Sequence, residues 1–171
     1  MGQITLPISE IFYSLQGEGK LVGTPSVFVR LAGCPIRCDW CDTSYAWDTA
    51  KANRLSVNEI ISCVKTVSTQ IGANKCKGFS RHIVVTGGEP LIHRNLKALI
   101  NELRNLNFHI TVETSGIMFR EFLCSLMSIS PKLDNPRYEL KPDVIRKLIS
   151  QADDYQIKFV IDKRSEIEKV L

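Results

Sequence analysis

No apolar run in this sequence approaches the ~20 residues that a membrane-crossing helix needs. The N-terminus lacks the charged-then-apolar order of a secretory signal. There is no internal repeat, no low-complexity linker and no block of like charge. Lys and Arg exceed Asp and Glu by four charges, and they are scattered. That balance permits a small anionic substrate but gives no basic stripe of the kind that grips nucleic acid. Membrane and direct nucleic-acid partners are therefore not expected, and the expected location is the cytoplasm. Histidine is scarce, with three residues. A chain of 171 residues, 44% of them hydrophobic, fits one domain over residues 1–171 with a real core.

Cysteine is not scarce. Three of the six lie within eight residues, Cys34, Cys38 and Cys41, in a C-x3-C-x2-C spacing. In a chain without a secretory signal, cysteines read as thiols and metal ligands before disulfides. Three thiolates on one short loop can converge on one metal centre, and an odd number cannot all pair. A structural zinc takes four protein ligands, so zinc needs a fourth from elsewhere, such as His82, His93 or Cys63. A [4Fe–4S] cluster held by three cysteines keeps one iron open for another ligand.

The flanking segments alternate strand and helix. Ile8 to Tyr13 is a possible strand, and Leu15-Gln16-Gly17-Glu18-Gly19 reads as a tight turn. Ser26 to Ala32 is a buried strand interrupted by Arg30, whose guanidinium must reach solvent or an anion. The cysteine loop spans about 33–54. Ser56 and Glu59 form a capping box. It opens a helix with Val57, Ile60, Ile61, Val64, Val67 and Ile71 on one face and Cys63 as a small apolar residue. Gly72 to Ser80, with Cys76, reads as a loop. His82 to Thr86 is a strand ending in Gly87-Gly88-Glu89-Pro90, where two glycines allow close approach to backbone. Asn95 to Leu106 is a helix and His109 to Glu113 a strand that runs into Thr114-Ser115-Gly116. Ile117 to about Met127 reads as a short helix and Ser128 to Ser130 as a short strand leading to Pro131-Lys132. Pro142 to Ala152 is a helix, Tyr155 to Ile161 a strand containing Lys158, and Ser165 to Leu171 a last helix. Strands alternating with helices predict an α/β fold, a partial (open) βα barrel of parallel strands with its site at their C-terminal ends.

The motifs LQGEG, FVRLAGC, C-x3-C-x-W-C-D-T, Trp47-Asp48, TGGEP, ET-x-G and SPK occur in that order from about Glu10 to Ile161. Together they resemble the 7-carboxy-7-deazaguanine synthase family, radical S-adenosylmethionine enzymes of queuosine and deazapurine biosynthesis that serve tRNA modification. The resemblance implies Cys34, Cys38 and Cys41 as cluster ligands, with S-adenosylmethionine on the open iron. It implies Trp40, Asp42, Gly88, Glu113, Ser130 and Lys132 as contacts of that cofactor, with Glu113 on its ribose and Lys132 on its carboxylate. Thr43 is implied as a Mg2+ ligand, its rival role being a turn or cap hydroxyl. Leu15, Gln16, Gly17, Arg30 and Thr86 are implied as contacts of the pterin substrate.

The implied reaction is radical ring contraction of 6-carboxy-5,6,7,8-tetrahydropterin to 7-carboxy-7-deazaguanine with loss of ammonia. It is cofactor-centred, with no side chain required as acid or base, although Glu18 is a candidate. An electron donor such as flavodoxin or ferredoxin and a homodimer are implied partners. Relative to the family the chain is expected to be shortened at its C-terminus. The rival readings are a glycyl-radical-enzyme activase, which shares the cysteine spacing, and a metal-binding module without turnover.

Overall fold

The computed structural model describes residues 4–70, 81–133, 135–161, 163–168 and 170. Seven strands form one open sheet in the order β3-β1-β2-β4-β5-β6-β7. β1 (Thr5–Leu15) and β2 (Pro25–Leu31) are a long antiparallel hairpin, and β3 (Asn53–Ser56) pairs antiparallel with the other side of β1. From β2 onward the pairing is parallel, through β4 (His82–Gly87), β5 (His109–Thr114), β6 (Cys124–Ile129) and β7 (Ala152–Ile157). The expectation of parallel strands thus holds for five of the seven. The antiparallel pair arises because the turn at residues 16–24 is too short for a crossover. The amide of Gln16 donates to the Thr24 carbonyl (2.9 Å) and that of Gly23 to the Gln16 carbonyl (2.7 Å), closing the turn.

Helices α1 (Val57–Gln70), α2 (Leu96–Asn105) and α3 (Pro142–Ile149) carry the other connections, and a short α4 covers Arg164–Ile167. The capping box is present: the Glu59 carboxylate accepts the Ser56 amide at 2.7 Å, and the Ser56 hydroxyl accepts the Glu59 amide at 3.3 Å. Val57, Ile60 and Val64 of α1 and Leu96, Leu99, Ile100 and Leu103 of α2 are buried against Val27, Val29, Ile83, Val85 and Ile110. That is the main core. β4 is buried along nearly its whole length, as a central parallel strand must be. Among the described residues no helix is long and apolar enough to cross a membrane.

Four local expectations change. Residues 117–123 are irregular, and β6 begins at Cys124. Gln151 takes the hydrogen bonds a helix would use, accepting from the Phe122 amide (3.1 Å) and donating to the Arg120 carbonyl (2.9 Å). The last strand begins three residues early and ends at Ile157 because its partner ends at Ile129; the Lys158 amide makes the last bond, to the Ile129 carbonyl at 2.8 Å. α3 accordingly stops at Ile149. Cys63 is exposed, on the outer face of α1. The expected loop at 72–80, with Ile71 and Cys76, lies outside the described residues.

Candidate active site

Every polar segment that follows a parallel strand faces one cavity of about 510 Å3. The cysteine loop leaves β2 through Gly33 (φ +105) and is closed at its base by two backbone bonds, Gly33 N–H to the Ala46 carbonyl (2.7 Å) and Cys34 N–H to the Trp47 carbonyl (3.2 Å). Inside it, Cys41 N–H reaches the Cys38 carbonyl at 3.1 Å, and Arg37 adopts positive φ. Ile36, Cys38 and Tyr138 pack together, with Cys34, Cys41 and Ile117 against them. The segment after β6 holds the loop from outside. Asn135 donates to the Ile36 carbonyl (3.4 Å), Arg137 to that of Arg37 (3.2 Å), and the Tyr138 hydroxyl to that of Ser115 (2.9 Å).

Burial pushes the Cys34 and Cys38 thiols up, which favours the protonated form until a metal draws the proton off. Among the described residues no three His, Cys, Asp or Glu side chains are gathered tightly enough for a single ion. The proposed zinc ligands are also engaged elsewhere. Both His82 nitrogens lie 2.7 Å from hydroxyls, of Ser26 and Thr111, His93 Nε2 donates to the Ala32 carbonyl, and Cys63 is exposed.

The two glycines at the end of β4 serve close packing. A Cβ at Gly87 would run into the Leu31 backbone, and one at Gly88 would meet the Gly33 carbonyl oxygen and, at 2.8 Å, Cys34 Cβ. Their absence lets Gly88 N–H reach the Leu31 carbonyl (2.9 Å) and Glu89 N–H that of Gly33 (2.8 Å). Sequence reasoning had given Glu89 no role. Its buried carboxyl group accepts from the Leu91 amide, the Thr114 hydroxyl and both the amide and hydroxyl of Ser115, tying the exits of β4 and β5 together.

The opposite wall comes from the hairpin and the last strands. Glu113, at the end of β5, accepts from Gln16 Nε2 (3.1 Å) and the Thr86 hydroxyl (3.0 Å). Lys158 Nζ lies 3.7 Å from Glu113 and 2.7 Å from Glu18. The Lys158 bond holds the Glu18 carboxyl below the usual carboxylate range. Arg30 meets its anion on the neighbouring strand: Nε donates to Glu10 at 2.7 Å, and the guanidinium lies over the Phe12 ring. Tyr45 donates to the same Glu10 oxygen at 2.6 Å, which raises its own pKa. Lys132 donates to the Ser130 hydroxyl at 2.9 Å. Thr43 makes no cap bond; its hydroxyl is 3.6 Å from Cys41 Sγ.

All of the residues that the resemblance implies for the cluster, S-adenosylmethionine, Mg2+ and the pterin line this cavity except Leu15, which is exposed at the end of β1. Lys158 is the notable addition. Its signal was a lone lysine in an apolar stretch, obscured by placing it inside the strand.

The Radical SAM superfamily profile matches residues 28–156. The 7-carboxy-7-deazaguanine synthase of Escherichia coli K12 is 38% identical over 95% of this chain and 74% of its own length. The chain belongs to the 7-carboxy-7-deazaguanine synthase family. The synthase of Rhodopirellula baltica is 37% identical over 97% of this chain, which spans 66% of that relative's length. The crystal structure of QueE from Escherichia coli matches with a TM-score of 0.76 and 30% identity, over 98% of this chain and 75% of that one. Membership of this radical S-adenosylmethionine family implies a [4Fe–4S] cluster and S-adenosylmethionine as cofactors. The loop suits such a cluster. It presents three thiols to one cavity, and among the described residues the buried Trp47 Nε1 of the same loop has no hydrogen-bond partner.

Proposed function

We propose that this chain catalyses the radical ring contraction of 6-carboxy-5,6,7,8-tetrahydropterin to 7-carboxy-7-deazaguanine. The observation that carries the reading is one cavity lined at once by Cys34, Cys38 and Cys41 and, opposite them, by Gln16, Arg30, Thr86 and Glu113. When bound, the cluster and S-adenosylmethionine supply one-electron chemistry that removes a hydrogen atom from the substrate.

The chain's residues bind and orient. Cys34, Cys38 and Cys41 hold the cluster. Trp40, Asp42, Gly88, Ser130 and Lys132 face S-adenosylmethionine, with Lys132 supplying the cation for its carboxylate. Gln16, Gly17, Arg30 and Thr86 face the pterin, and Leu15 lies outside the cavity. Glu113 stands at the junction, since its partners Gln16 and Thr86 belong to the pterin side. Thr43 gives one ligand to Mg2+, which keeps several waters and takes other oxygens from substrate. Substrate turnover takes place in the cytoplasm in a homodimer reduced by a flavodoxin or ferredoxin, and the product feeds queuosine and tRNA modification.

The test is anaerobic reconstitution followed by reduction with both small molecules and mass spectrometry of the products. Deoxyadenosine together with 7-carboxy-7-deazaguanine is expected. A preparation holding zinc and no iron overturns the reading. So does a full cluster that activates a protein partner and leaves the pterin unchanged.

A further inference from the structure

Two carboxyl groups from different walls, Glu18 of the β1–β2 turn and Glu113 at the end of β5, face the same cavity. Like charges that share a cavity disfavour each other's ionised forms, and a cation between them offsets that repulsion. Here a single ammonium stands against both. Lys158 Nζ is 2.7 Å from Glu18 Oε2 and 3.7 Å from Glu113 Oε1; the Lys158 side chain is 21% exposed and that of Glu18 69%. The Lys158 backbone is fixed by the bond to the Ile129 carbonyl. Glu113 has both oxygens occupied, by Gln16 and Thr86. Glu18 has one oxygen on Lys158, and its other makes no hydrogen bond among the described residues.

We propose that Lys158 is a positioning residue for the pterin. It neutralises one of the two facing carboxylates and fixes the Glu18 rotamer so that the second Glu18 oxygen accepts from the N–H edge of the 2-amino-4-oxopyrimidine ring. This rests on the pterin reading above. The chemistry is complementary: that ring edge presents adjacent neutral donors, and a carboxylate is an acceptor-only group. A second tie holds the same turn without entering the cavity. Lys20 pairs with Asp154 of β7 at 2.6 Å, and its amide donates to Gln156 at 2.7 Å. The turn therefore keeps a fastening when Lys158 is removed, and Lys20 serves as the control for a merely structural contribution.

The experiment is anaerobic calorimetric titration of the cluster-loaded protein with 6-carboxy-5,6,7,8-tetrahydropterin, without S-adenosylmethionine, across a range of pH. Lys158→Met is expected to weaken binding by about tenfold or more, the scale of a lost charge-assisted contact. Its acid limb should move to higher pH, because the Lys158 bond no longer holds the Glu18 carboxyl down and only Lys132 is left as a nearby cation. Lys158→Arg should recover most of the affinity. Lys20→Met should stay within about twofold of the parent, as exposed pairs do. Iron content should be unchanged in all three. Parent-like binding by Lys158→Met overturns the proposal, as does an equal loss in Lys20→Met, since either makes Lys158 a fastening alone. If the parent itself binds no pterin, the substrate reading fails and the proposal with it.

Discussion

At the scale of single residues, Glu89 and Thr43 show how one cavity can hold two kinds of polar group. Glu89 is 1% exposed, and its four donors fill both oxygens. Burial without those donors would cost several kcal/mol. Glu89→Gln replaces two acceptor sites by N–H groups that point at existing donors. It is expected to lower stability by ~2–3 kcal/mol, read from urea denaturation. Thr43 is the reverse case, a half-exposed hydroxyl with no structural bond among the described residues beyond a long contact to Cys41. Thr43→Ala should therefore leave folding and iron content unchanged while lowering the stimulation of turnover by Mg2+. Unchanged stimulation removes Thr43 as the ligand.

At the scale of elements, hydrogen-bond direction decides several outcomes. The capping box of α1 uses Ser56 and Glu59 reciprocally. Ser56→Ala should cost about 1 kcal/mol, seen as a lower urea midpoint with unchanged slope. The histidine relay across β2, β4 and β5 has a defined tautomer. The Ser26 hydroxyl donates to the Thr24 carbonyl at 2.8 Å, so it accepts from His82 Nδ1, leaving Nε2 to accept from Thr111. These bonds link three strands through side chains as well as backbone. The 117–123 segment and the early end of β7 follow the same logic. Gln151 and the length of β6 settle the backbone pairing there, and neither is visible in local propensity.

At the scale of the molecule, that buried relay makes the fold acid-sensitive. Burial lowers the His82 pKa from 6.5 to about 4, with His109 beside it as the second cause. Between those values the unfolded chain takes up a proton that the folded chain refuses, so stability rises with pH across the window. Urea midpoints should be level above 6.5 and fall as pH drops towards 4, by up to ~3 kcal/mol from this group. His82→Gln should flatten that slope; an unaltered slope assigns it to other groups. Lowered Glu18 and Asp154 add losses only lower down, as each becomes protonated.

The cysteine loop was legible from spacing, since ligand chemistry demands neighbouring thiols. The core stripes of α1 and α2 were legible from periodicity, and the order of strand exits from the motifs that follow them. These are local properties, written in consecutive residues. The tertiary structure alone decided the antiparallel edge, the role of Glu89, the register of β7 and the meeting of Glu18, Glu113 and Lys158. Glu18 and Lys158 are 140 positions apart. Their contact exists because the β1–β2 turn reaches the end of β7, and nothing in either segment's own pattern specifies the other. The sequence by itself determined which chemistry this chain carries; the packing of distant segments around the sheet's C-terminal edge decided which charges that chemistry faces.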